Sequence, residues 1–163
     1  MMMMKLITIN DIRKLKPCYD PKRYLDEMWR GTLIDFLKIN KIPSKDRIWV
    51  ATRFLDDKTN RLFAVWCARQ ALKLVNNPDT RSIEACNVAE KFALCEATRQ
   101  ELASARAAAS NAARAAASNA ASNARAVTWA ATSDTAWAAI WAASSDAAWA
   151  AQVKHLIEMV ENE

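Results

Sequence analysis

Half of the stretch from Ala103 to Gln152 is alanine, and the stretch contains neither glycine nor proline. Alanine has no side-chain entropy to lose in a helix, so a run of this composition predicts helix throughout. The remaining positions are mostly Ser, Thr and Asn, with three Arg, two Asp and four Trp. Small side chains also let a neighbouring backbone come close. The tract therefore fixes the class of protein, while saying little about chemistry.

At 163 residues the chain is long enough for one domain with a core of its own. A single glycine (Gly31) and four prolines are too few for an ordinary β protein or a loop-built active site. Charge is uneven. Residues 1–53 hold 12 basic and 6 acidic groups, residues 54–101 hold 7 of each, residues 102–126 hold three Arg, and residues 127–163 hold one basic and five acidic groups. A basic front with an acidic tail suits either a mixed solvated surface or an acidic partner. Met1–Asn10 lacks the apolar core and cleavage site of a secretory signal. No window is long and apolar enough for a membrane span, since Ala126–Val153 is broken by Asp134, Asp146 and many hydroxyls. Cys18, Cys67, Cys86 and Cys95 form no CxxC pair, which points to reduced thiols in a cytosolic protein.

Punctuation by Pro, Gly and capping residues divides the first half into short helices. Asn10 is expected to cap a turn through Leu15. Asp20-Pro21 reads as a helix start running to Gly31, Thr32 with Asp35 as a start running to about Ile39, and Ser44 as the cap of Lys45–Leu55. Asp56–Thr59 is the next expected break. Arg61–Val75 reads as a largely buried central helix, flanked by Ile48–Leu55 and Ile83–Phe92 and carrying Trp66 as a core aromatic. Asp79 or Thr80 opens a helix to about Glu96. Arg81, in its first turn, opposes the helix dipole and should pair with Asp79, Asp57 or Glu84. Thr98 with Glu101 fits a capping box ahead of the alanine tract.

From Arg99 onward nothing stops the helix. A single rod to residue 163 would reach roughly 95 Å, so a fold-back is expected near Asn119–Ala126 or Thr132–Asp134. The tract repeats itself, Ala105–Ala112 recurring at Ala113–Ala120 and Trp129–Ile140 at Trp141–Gln152. Ala105, Ala109, Ala112 and Ala116 share a stripe suited to close helix packing. Arg106, Arg114 and Arg125 lie on the other side. Trp129, Trp137 and Trp141 share one face of the second half; Trp149 goes with Val153, Leu156 and Val160. These features predict an all-α, single-domain multi-helix bundle ending in a long Ala-rich C-terminal helical hairpin. Short helices would occupy residues 1–44, core helices 45–97 and Ala/Trp-rich helices 98–163.

His155 is the one histidine, and nothing near it has metal-ligand spacing. Asp134 and Asp146 suit helix capping better than acid–base work, and no phosphate loop or nucleophile elbow is present. The reading is of a non-enzymatic protein with no catalytic residue, cofactor or metal. Its candidate partner interface is Arg106, Arg114, Arg125, Trp129, Trp137, Trp141 and Trp149, since Trp and Arg dominate binding hot spots.

A second line of reasoning rests on motifs in the middle of the chain. These are Arg61-Leu62-x-Ala64-x-Trp66-Cys67-Ala68, Pro78-Asp79-x-Arg81-Ser82-Ile83-Glu84-Ala85 and Glu96-Ala97-Thr98-x-x-Glu101-Leu102, with Asp46-Arg47-Ile48-Trp49 and Arg53-x-Leu55 before them. In these motifs the chain resembles the all-α immunity proteins of bacterial polymorphic toxin systems and their Ala-rich phage and prophage relatives. The likeness spans roughly residues 45–150, and the front 45 residues look more like the phage-type relatives. Relatives often carry Gly where this chain has Cys95. The resemblance implies a helical protein of the bacterial cytoplasm that neutralises a protein partner, a toxin or a host factor. Alternatives from other classes are a basic nucleic-acid-binding protein and a self-assembling homo-oligomer with the Trp-Ala helix as its seam; no membrane partner is expected.

Overall fold

The computed structural model describes residues 5–115 and 146–162, with backbone alone at 112–115 and 146–147. Helix predominates, as the composition predicts, and the fold is all-α apart from one two-stranded ribbon. By contacts the described residues gather into two compact units, one from 5–55 with 146–162 and the other from 56–115. The C-terminal helix belongs to the first because it packs on elements of that unit.

In the first unit, β1 (Ile7–Thr8) pairs antiparallel with β2 (Arg30–Gly31), Ile7 opposite Gly31. Helix α1 (Ile9–Lys14) follows at once, capped by Thr8 rather than Asn10. The cap moves because Asp11 closes a capping box on Thr8: the Thr8 N–H donates to Asp11 Oδ2 at 3.0 Å, and the Asp11 N–H donates to Thr8 Oγ1 at 3.2 Å.

The expected helix from Pro21 to Gly31 is also corrected. Asp20 does cap, accepting from the Lys22 N–H, but only a single 3₁₀ turn forms over Pro21–Arg23. Leu25 then turns into the core, and the Trp29 carbonyl accepts from the Ile9 N–H, so the backbone near Gly31 serves the ribbon. A Cβ on Gly31 would stand 3.0 Å from both the Asp35 Cβ and the Trp29 ring. That glycine answers a close approach, not a helix end.

Helix α2 (Leu33–Leu37) carries the Thr32/Asp35 capping box read from the sequence. Helix α3 (Ser44–Ala51) starts one residue earlier than expected, behind Pro43, which offers no side-chain cap. Ser44 is thereby free to accept from Arg47 at 3.1 Å. Arg47 is 8% exposed and donates through Nη1 to the Leu37 carbonyl at 2.6 Å. A cation there satisfies an orphan carbonyl of α2 and suits the negative end of its dipole.

Ile7, Ile9, Ile12, Leu25, Phe36, Ile42 and Val50 form the core of this part. Leu37, Ile48 and Ala51 are buried but stand outside that cluster, so α2 and α3 each have a second buried side. The C-terminal helix α7 (Asp146–Glu161) packs on both helices.

The second unit stacks α4 (Asp57–Leu72), α5 (Thr80–Ala93) and α6 (Arg99–Ala115), with α5 against both neighbours. Asp56 caps α4 by accepting from the Thr59 N–H at 2.7 Å, so the expected break at 56–59 is the helix start. Ala64, Val65, Ala68 and Leu72 of α4 meet Ala85, Cys86 and Ala89 of α5 and Leu102 and Ala109 of α6. Small residues at these contacts allow close approach, the behaviour expected of the alanine tract, and here it begins two helices earlier. The flank Ile83–Phe92 falls within α5 as expected, whereas Ile48–Leu55 belongs to the first unit. Within α4 the fully buried aromatic is Phe63. Trp66 is half-buried and stacks on Phe63 with centroids 6.4 Å apart.

Both ends of the alanine tract are helical, and the turn expected between them lies outside the described residues.

Candidate protein-binding surface

Polar residues of the central sequence motifs are engaged within the scaffold. Arg61 lies over the Phe92 ring at 4.7 Å and so ties α4 to α5. Arg81 holds Asp79, as the dipole argument predicted: Nε donates to Oδ1 at 2.9 Å and Nη2 to Oδ2 at 2.8 Å. Asp79 also caps α5 by accepting from the Arg81 N–H. The guanidinium and the cap bonds together hold the Asp79 carboxyl down at about 2. Thr98 and Glu101 form the expected capping box, with the Thr98 N–H donating to Glu101 Oε2 at 2.7 Å. In the first unit Arg53 lies 3.8 Å from the centre of the Trp49 ring and donates to the Trp49 carbonyl.

One further tie was not legible in the sequence. Arg69 of α4 donates to both carboxylate oxygens of Glu90 on α5, at 3.0 and 2.7 Å, and to Asn87 Oδ1. The residues are 21 apart, so no local spacing rule connects them.

The end of α5 answers the question raised by Cys95. Cys95 takes φ 62°, the Cys95 N–H donates to the Phe92 carbonyl at 3.1 Å, and the Glu96 N–H donates to the Lys91 carbonyl at 2.7 Å. That is the Schellman arrangement, with a cysteine at the left-handed position glycine prefers.

What faces outward is of a different kind. On α6, Ala103, Ser104, Arg106, Ala107 and Asn111 are exposed, while Leu102 and Ala109 are buried and Ala105 packs against the core. Arg106 is exposed at the edge of the packed stripe, with the small Ala103 and Ser110 one turn away on either side of it. Ile83, Leu74 and Leu94 are exposed apolar residues of the same unit.

Among the other candidate interface residues, Trp149 is half-buried on α7, on the side that carries the buried Val153 and Leu156. The Arg114 side chain lies outside the described residues, as do Arg125, Trp129, Trp137, Trp141 and Asp134. The Ala112 side chain and Ala116, half of the expected packing stripe, lie outside them too.

The charge asymmetry has a structural expression. Helix α7 brings Asp146, Glu158 and Glu161, against one lysine, into the unit formed by the basic front. Lys38 Nζ meets Glu161 Oε1 at 2.8 Å. One acidic residue of the tail thus pairs with one lysine of the basic front.

Cys67 and Cys86 are buried thiols, pushed up by desolvation, Cys86 to about 11; all four cysteines are unpaired. His155 is half-buried, with Nδ1 3.7 Å from Glu158, and burial lowers its pKa. Among the described residues no three His, Cys, Asp or Glu side chains gather as a metal site, and no helix is long and apolar enough to cross a membrane. No protein-family model, curated protein or solved structure matches the chain.

Proposed function

We propose that this chain is a non-enzymatic helical protein that binds and inhibits a protein partner in the bacterial cytoplasm, as an immunity factor or a phage-borne antagonist of a host factor. The observation that carries the reading is the division of labour among the motif residues. Arg47, Arg61, Asp79, Arg81, Thr98 and Glu101 cap helices or join them. The resemblance to immunity proteins thus runs through a scaffold, which leaves specificity to outward positions such as Arg106 on α6. Four unpaired cysteines accord with a reducing compartment.

The test is affinity purification of the full-length chain from its native host after nuclease treatment. One protein recovered in stoichiometric amount is the expected result. Recovery of no protein above background, or of nucleic acid alone before nuclease, would overturn the reading.

A further inference from the structure

Helix α3 starts without a side-chain cap, because Pro43 stands where a capping residue would. The Pro43 carbonyl accepts from the Asp46 and Arg47 N–H groups. The Ser44 and Lys45 N–H groups remain, and neither has an acceptor among the described residues. Pro43 and Lys45 are exposed and Ser44 is half-buried, so the turn that carries these amides is at the surface.

The guanidinium of Arg47 is brought to the same turn. Arg47 is 8% exposed, and its Nη2 donates to Ser44 Oγ at 3.1 Å. Its Nη1 donates to the Leu37 carbonyl at 2.6 Å and to Asn40 Oδ1 at 3.4 Å. The buried Nε has no partner. Among the described residues no carboxylate pairs with Arg47. Burial lowers its pKa, and no acidic neighbour raises it again. A buried cation held by neutral acceptors alone is costly. Nε and Nη2 form one edge of a guanidinium, the edge with which Arg81 grips both oxygens of Asp79. On Arg47 that edge is turned to Ser44, beside the free amides. The bare helix start and the unmatched cation are separate observations, and both call for negatively charged oxygens.

We propose that the start of α3 binds a phosphate group. The Ser44 and Lys45 N–H groups and the Ser44 hydroxyl hold its oxygens, and the Nε–Nη2 edge of Arg47 supplies the opposite charge. A phosphate has three acceptor oxygens and close to two charges, so it answers the amides and the cation together.

Inorganic phosphate, added to the nitrogen-labelled full-length chain at constant ionic strength against chloride, tests it by NMR. The Ser44 and Lys45 amide resonances and the Arg47 Nε–H resonance should move together and saturate, and the melting temperature should rise. Acetate forms a second arm: a response as strong as that to phosphate would assign the place to a carboxylate and overturn the choice of ligand. Pro43→Asp gives α3 a carboxylate cap from the chain itself, which competes for the same amides. It should keep or raise the melting temperature and weaken phosphate binding by about tenfold or more. Shifts that never saturate, or that spread evenly over the exposed lysines, would reveal screening alone and overturn the proposal. A Pro43→Asp chain that binds phosphate like the parent would do the same. No partner protein enters these measurements, so this inference and the proposed function fail separately.

Discussion

Arg81 grips Asp79 through Nε and Nη2 of its guanidinium while the Asp79 carboxylate caps the helix whose first turn carries Arg81. The pair offsets an unfavourable charge in the first turn of α5 by returning a carboxylate to it. Asp79 should therefore titrate near 2 in the folded chain, against an ordinary 3.8. Glu27, held by Arg13 and Lys22, should also titrate near 2. Both folded values are depressed, so the stability these groups give is present above the unfolded carboxylate range, about pH 4, and is lost as pH falls toward about 2. Carboxyl-detected NMR checks this: Arg81→Gln should move the Asp79 midpoint up toward the ordinary value and leave Glu27 in place. An unmoved Asp79 would show that the cap bonds alone set it.

Cys95 occupies a left-handed position with a Cβ that the conformation disfavours. Cys95→Gly should stabilise the chain by about 0.5–1 kcal/mol, the relief of strain less the added freedom of the unfolded glycine. Urea unfolding of the two chains measures it. A loss of stability would mean the Cys95 side chain makes a contact worth more than the strain.

Three caps were legible in the sequence because each spans at most four residues, although the Thr8/Asp11 box, of the same span, was passed over for Asn10. Thr32 with Asp35, Thr98 with Glu101, and Asp79 followed by Arg81 announce themselves through spacing alone. The ribbon was not legible: Ile7–Thr8 and Arg30–Gly31 are two residues each, too short for any alternation, and their pairing comes from Leu25 and Trp29 folding the chain between them. Asp20-Pro21 misled for a related reason, since the same signature opens a long helix or a single 3₁₀ turn, and only the tertiary pull on Leu25 decides. The Arg47 bond to the Leu37 carbonyl and the return of α7 to α2 and α3 are long-range events with no local signal. At the candidate surface, the exposure of Arg106 comes from the structure, since helical spacing sets it beside Leu102 and Ala109 at the edge of the packed stripe.

That same spacing makes the alanine contact testable at a described position. Ala109 is fully buried between α6 and its neighbours, while Ala107 is exposed. Ala109→Leu should cost about 1–3 kcal/mol by overpacking, and Ala107→Leu should stay within about 0.5 kcal/mol of the parent. Thermal or urea melts of the pair decide it. Equal effects would mean that the Leu102/Ala105/Ala109 side does not bear the packing.

In α4 the fully buried aromatic is Phe63, whereas Trp66, read from the sequence as a core ring, is half-buried. Phe63→Ala should cost about 3–5 kcal/mol, the usual penalty for a fully buried aromatic. Trp66→Ala, at a half-buried ring stacked on Phe63, should cost clearly less. Urea unfolding ranks the two, and a larger loss at Trp66 would place the core of α4 on its other side.

The central claim is that the chain acts by binding one protein, without turnover. It is tested most directly by titrating the purified full-length chain into its recovered partner and following the partner's own activity. Inhibition should grow linearly with added chain, end at a fixed whole-number ratio, and weaken on Arg106→Glu with the chain's own melting unchanged. Activity untouched by excess chain would contradict inhibition. Full inhibition by a small fraction of an equivalent would contradict binding without turnover and make the chain an enzyme.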